Sequence, residues 1–146
     1  MDVPAERVTQ LQSIPLLAGL PYSDLERLAA KTREERHSVG TELIKEGTSG
    51  SSVYLIVSGQ CEVRRKSVER RLSLLGPGTF FGELSIISPS PRSATVSVSE
   101  AATLLVLEGQ DFRSALSSNN RMAQHLIGVL AERLRNLTDE FAPRMR

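Results

Sequence analysis

Short apolar segments separated by glycines fill the middle of this chain, and that punctuation constrains its fold more than any other feature. Between residues 36 and 108, the runs Glu42–Lys45, Val53–Ser58, Cys61–Arg65, Arg71–Leu75, Ala94–Val98 and Thr103–Leu107 read as strands. The breaks fall at Gly40, Gly47, Gly50, Gly59, Gly76-Pro77-Gly78 and Gly109. Many short strands at spacings of about 8–12 residues predict a sandwich or barrel. Along Cys61-Glu62-Val63-Arg64 apolar and charged residues alternate, so one face of that strand is buried and the other wet.

Helical periodicity flanks this β zone on both sides. Before it, Val8, Leu11 and Gln12, then Leu16 and Leu17, then Leu25, Leu28 and Ala29 recur at helical spacing over residues 5–33. Pro15 and Gly19-Leu20-Pro21 divide this zone into two short helices, with Ser23 or its neighbours as the expected N-cap of the second and Glu26 in its first turn. After it, a short helix over Asp111–Leu116 and a junction at Asn119-Asn120 lead into a long amphipathic helix. Its stripe runs through Met122, Leu126, Val129/Leu130, Leu134, Leu137 and Phe141, and Pro143 stands where it should stop.

Composition excludes several classes. The 146 residues suffice for one domain. A net charge of +1 argues against a dedicated nucleic-acid binder. A single cysteine, Cys61, rules out an internal disulfide and a Cys-based zinc site. His37 and His125 are isolated, so no metal site and no cupin-like histidine cluster is expected; both read as solvated residues. No apolar run approaches the roughly 18 residues of a membrane span, and Met1–Gln10 is too polar for a signal peptide. The expectation is a soluble, cytoplasmic chain with no membrane insertion. Gly76-x-Gly78 with Gly82 mimics a dinucleotide fingerprint, but the spacing is wrong and no βαβ unit follows. The basic run Arg64-Arg65-Lys66 with Arg70-Arg71 reads as an exposed hairpin, or as a docking surface for an acidic partner.

The chemistry concentrates in residues 80–96, FFGELSIISPSPRSATV. A helix opening at Gly82 would present free backbone N–H groups and a positive dipole end to an anion. Gly82 lets a ligand approach the backbone closely. Arg92 offers a planar, permanently charged fork suited to two phosphate oxygens. Glu83 can accept hydrogen bonds from a sugar hydroxyl. Ser93 and Thr95 add hydroxyls. The same pair, Glu83 and Arg92, serves equally well as a buried structural ion pair.

The segment Phe81-Gly82-Glu83-Leu84-Ser85, followed by Pro91-Arg92-Ser93-Ala94-Thr95, resembles the phosphate-binding cassette of the cyclic nucleotide-binding domain family. Leu16-Leu17-Ala18-Gly19-Leu20, Val53–Gly59 and Leu75–Phe80 resemble further family motifs, so the likeness spans about residues 10–140. The resemblance implies an α+β fold: an antiparallel, jelly-roll-like β-roll with N-terminal helices, a short cassette helix and a long C-terminal helix. One domain is expected over 1–146, with N-terminal helices in 1–35, the β-roll in 36–108 and lid helices in 109–142. It implies a ligand, cAMP or cGMP, with no catalysis and no cofactor. By analogy Arg92 grips the cyclic phosphate and Glu83 takes the ribose 2′-hydroxyl. Phe81, Gly82, Leu84, Ser85, Ser93, Ala94 and Thr95 complete the cradle. Val63, Leu72 and Leu74 or Leu75 would line the base and ribose walls, or simply belong to the core. Arg133 or Arg135 would stack over the base, or stay solvated on the helix face. Ser93, a serine after the cassette arginine, leans the ligand toward cAMP. Thr48 and Ser51 stand where the family usually carries two turn-forming acids, which puts the rigidity of that loop in doubt.

Three roles follow from the resemblance. One is a sensor domain whose C-terminal helix acts on an effector absent from these residues. Another is a truncated catabolite-activator-type transcription regulator, although the chain ends at Arg146 with no helix-turn-helix after the last helix. The third is a β-roll interaction domain without ligand. The stripe from Leu130 to Phe141 also approximates a heptad seam, so a dimer through that helix is a further expectation.

Overall fold

The computed structural model describes residues 4–141, with side chains as far as Asn136. Helices α1 (Ala5–Gln12) and α2 (Tyr22–Lys31), joined through a 3-10 turn at Pro15–Leu17, precede the strands β1 (Arg33–His37), β2 (Glu42–Ile44), β3 (Ser52–Arg64), β4 (Ser73–Leu75) and β5 (Phe80–Phe81). Helix α3 (Leu84–Ile87) separates β5 from β6 (Thr95–Glu108), and α4 (Gly109–Ser118) and α5 (Asn120–Phe141) close the fold. Helix α2 starts on Pro21 rather than on a serine cap; Ser23 lies inside it, and Asp24 rather than Glu26 supplies the acid of its first turn.

Two long strands form the frame. β3 and β6 pair antiparallel from Ser52↔Glu108 to Arg64↔Thr95, with β1 and β2 added to β6 and β4 and β5 added to β3. Each replaces two of the expected shorter strands. Gly59 is therefore a position within β3, not a turn. Its φ of +86° and the Ala101 carbonyl, 2.3 Å from where a Cβ would sit, admit only glycine. The register shifts around it mark a bulge that bends the strand. β1 begins at Arg33, just inside the stretch expected to be helical.

The runs Val53–Ile56 and Leu104–Leu107 are apolar without alternation because both faces of these strands are covered. Val53, Leu55, Leu105 and Leu107 point to a core shared with α1, α2, α4 and α5. Ile56, Cys61, Val96, Val98 and Leu104 point to a second core inside the roll, with Ile44 and Phe81. Met122 and Leu126 anchor α5 on the first core, while Ile127 and Leu134 are exposed. The side chains of Leu137 and Phe141, and Pro143 altogether, lie outside the described residues.

Candidate ligand-binding site

A cavity of about 350 Å³ opens where the roll's inner core meets α3. That lies in the range of small-molecule sites. Its apolar wall is built from Ile44, Val63, Leu75, Phe81 and Val96, and its polar rim from Gly82, Glu83, Ser85, Arg92, Ser93, Ser73 and Arg133, with Leu84 and Ala94 completing the lining. β-strand alternation explains the wall. Ser73 pairs with Val63 and Leu75 with Cys61, so Ser73 and Leu75 share one face of β4. Leu72 and Leu74, expected to line the base wall, lie outside the cavity and are exposed.

Arg92 is held by backbone on every side. Its Nη1 donates to the Gly82 carbonyl at 2.8 Å and its Nη2 to the Ser52 carbonyl at 2.9 Å. Its own N–H and carbonyl pair with Thr48 and Gly47, both at 2.8 Å. The Thr48 hydroxyl donates to the Lys45 carbonyl at 2.6 Å and closes that turn, a bond that an ionised acid in its place could not make. Gly50 and Gly82 are glycines for steric reasons. A Cβ on Gly50 would lie 2.5 Å from Arg92 Nε, and one on Gly82, at φ +94°, 2.6 Å from the Ser52 carbonyl. Burial lowers the Arg92 pKa from its ordinary value, and the neighbouring Tyr54 and Glu83 act in the opposite sense. Tyr54 stacks on Phe81 with centroids 5.0 Å apart, bracing the strand that leads into the cassette.

Glu83 is 2% exposed and stands at the N-cap position of α3 without a side-chain capping hydrogen bond; the helix begins at Leu84, two residues after the expected Gly82. No Glu83–Arg92 ion pair forms among the described residues; the partner of Glu83 is Arg133, from α5. Arg133 also donates to the Phe80 carbonyl at 3.2 Å and lies 5.2 Å over the Phe80 ring. Its side chain is 41% exposed, as expected of a helix-face charge, but its guanidinium is held by Glu83 and Phe80 rather than by solvent alone. Arg135 is the solvated one, paired with Glu132 along the helix. Thr95 faces away from the cavity, its hydroxyl accepting the Glu46 N–H at 3.0 Å. Sequence reasoning missed Ile44, Ser73 and Val96. Alternation within β4 and β6 was the signal available for Ser73 and Val96.

The arrangement offers an anion a buried guanidinium with spare donors and the first N–H groups of α3. It offers a sugar a buried carboxylate, and a flat apolar group a wall. Among the described residues no cluster could hold a metal ion, and no described helix is long and apolar enough to cross a membrane.

Comparison with known proteins identifies the family. The family described as the cyclic nucleotide-binding domain matches residues 34–119. The Cyclic AMP receptor protein of Thermus thermophilus is 30% identical over 128 residues, covering 86% of this chain and 59% of the relative. A cyclic nucleotide-gated potassium channel of Mesorhizobium japonicum is 32% identical over 112 residues, 77% of this chain and 30% of the channel. Among solved structures, the regulatory domain of Toxoplasma gondii PKA crystallised with cAMP superposes with a TM-score of 0.68 at 30% identity, covering 75% of this chain and 43% of that one. The chain thus spans less than two thirds of the length of the curated relatives it matches.

Proposed function

This chain belongs to the cyclic nucleotide-binding domain family, and from that membership we propose that it is a regulatory sensor of cAMP, with cGMP the weaker ligand. The observation that carries the reading is the pair of buried, oppositely charged side chains on one cavity, Arg92 at 6% exposure and Glu83 at 2%. Arg92 clasps the cyclic phosphate, the amides of Leu84 and Ser85 support it, and Glu83 accepts the ribose hydroxyl. Val63, Leu75 and Phe81 take the base. Ser93 favours cAMP. The domain catalyses nothing and uses no cofactor.

Signal leaves through α5. A ribose hydroxyl and the Arg133 guanidinium compete for one carboxylate, so ligand and helix position are energetically coupled. The apolar residues Ile127 and Leu134, exposed on α5, supply the surface for an effector or for a second copy of the chain. Titration calorimetry with cAMP and cGMP tests the ligand. Tighter cGMP binding by tenfold overturns the cAMP preference, and no binding of either overturns the sensor. Sedimentation with and without cAMP tests the helix: a monomer in both conditions removes the dimer.

A further inference from the structure

The basic hairpin between β3 and β4 plays no part in the cavity chemistry above. It contains one short pattern twice: Arg64-Arg65-Lys66-Ser67-Val68 and Arg70-Arg71-Leu72-Ser73-Leu74. Two arginines three and two residues before a serine, with an apolar residue after it, match what basophilic serine/threonine kinases read. Their carboxylates take the guanidiniums, and an apolar slot takes the following side chain. Such enzymes bind the acceptor segment extended, which separates the two copies.

Ser67 sits in a turn closed by the Val68 N–H on the Arg65 carbonyl at 3.1 Å and pinned by the Lys66 N–H on the Glu46 carboxylate at 2.8 Å. Residues 70–74 are all exposed and run into β4, a three-residue strand at the end of the sheet order. Leu74, the residue after the serine, is 40% exposed. Ser73 is also the residue of this segment that lines the cavity.

We propose that Ser73 is a phosphoryl acceptor for a basophilic serine/threonine kinase, and that its modification closes the cavity to a cyclic nucleotide. The second half rests on the nucleotide reading given above. In the transfer, Ser73 Oγ bonds to the γ-phosphorus of ATP while the bond from that phosphorus to the ADP oxygen breaks. The hydroxyl proton passes to the kinase's catalytic carboxylate, and ADP leaves with the bonding pair. The product adds a charge of about −1.5 to −2 at the β4 wall of a cavity that already holds the Glu83 carboxylate. It takes up volume between Val63 and Leu75 and repels a second anion.

The test incubates the full chain, free of nucleotide, with magnesium-ATP and the isolated catalytic subunit of a cAMP-dependent protein kinase. The phosphate is mapped by peptide mass spectrometry, and cAMP is then titrated into the modified and unmodified chains. The expected result is phosphate at Ser73, equal labelling in Ser67→Ala, none at this segment in Ser73→Ala, and cAMP affinity at least tenfold weaker after modification. No phosphate at Ser73, or full occupancy with affinity within threefold, overturns the proposal. A chain labelled at Ser73 that binds no cAMP in either form supports the acceptor assignment and overturns the nucleotide reading instead.

Discussion

Replacing Arg92 with lysine separates charge from geometry at the centre of the site. A guanidinium carries five N–H donors, of which the Gly82 and Ser52 carbonyls take two. Three remain for a ligand, enough for a bidentate grip on a phosphate. An ammonium carries three, so Arg92→Lys can serve both carbonyls only by leaving one for the phosphate. The ligand then loses one charge-assisted hydrogen bond, worth about 1.5–3 kcal/mol. At 1.4 kcal/mol per decade that is a roughly 10- to 150-fold rise in Kd for cAMP. The charge and most of the backbone bonding survive, so the ligand-free melting temperature should move by no more than a few degrees, about 2–4 °C per kcal/mol for a chain of this size. Calorimetric titration and a thermal melt on the same sample measure both. Arg92→Ala, which also loses the charge, should bind at least as weakly as the lysine variant. A lysine variant whose Kd stays within threefold of the parent, with an unchanged melt, refutes the forked grip.

Gly82→Ala places a Cβ 2.6 Å from the Ser52 carbonyl at a φ of +94°, so it should cost about 1–3 kcal/mol and lower the melting temperature whether or not nucleotide is present. Arg133→Ala leaves the Glu83 carboxylate buried without its partner. Because the Arg133 side chain is 41% exposed, the loss should be about 1–3 kcal/mol, below that of a fully buried pair, and adding Glu83→Gln should recover part of it in a double-mutant cycle of melting temperatures. Burial pushes the Cys61 thiol up to about 11 from its ordinary 9.0. Below pH 9 both folded and unfolded chains hold the proton; above it the unfolded chain ionises first, so stability should fall between about pH 9 and 11. Cys61→Ala should flatten that slope, and the thiol should resist alkylation at pH 8 until denaturant is added.

The cassette segment stood out because its pattern is local: Gly82, Glu83 and Arg92 fall within eleven consecutive positions, and the pattern needs no distant partner to be noticed. The two-helix start and the long final helix were legible from spacing alone. What failed were features decided by pairing across the fold. β1 reads Arg-Glu-Glu-Arg-His, with no apolar period, and is a strand because β6 beside it offers a ladder. Gly59 looked like a turn because a glycine between two apolar runs usually is one; the Ala101 backbone opposite makes it a bulge. Arg133 meets Glu83 across fifty positions, and neither residue's neighbours carry any trace of that contact. The expectation of a Glu83–Arg92 pair failed for the same reason. Arg92 found backbone carbonyls nearer, and Glu83 was taken by a helix the local sequence could not place.

The β3–β6 ladder also sets the order in which the molecule can assemble. Its innermost rung joins Arg64 to Thr95 and its outermost joins Ser52 to Glu108, with β4, β5 and α3 all lying in the stretch between them. That loop must close before the ladder rewards the chain, and contacts so distant in sequence are those that make β-rich domains fold in milliseconds to seconds rather than microseconds. A ribosome that has released residue 92 has delivered Arg92 and both carbonyls that hold it, yet not the strand that brings the frame together. The candidate site is therefore expected to form late in folding, and nucleotide to act only on the steps that follow ladder closure. Refolding rates should be insensitive to cAMP, and unfolding rates should carry nearly all of its stabilising effect.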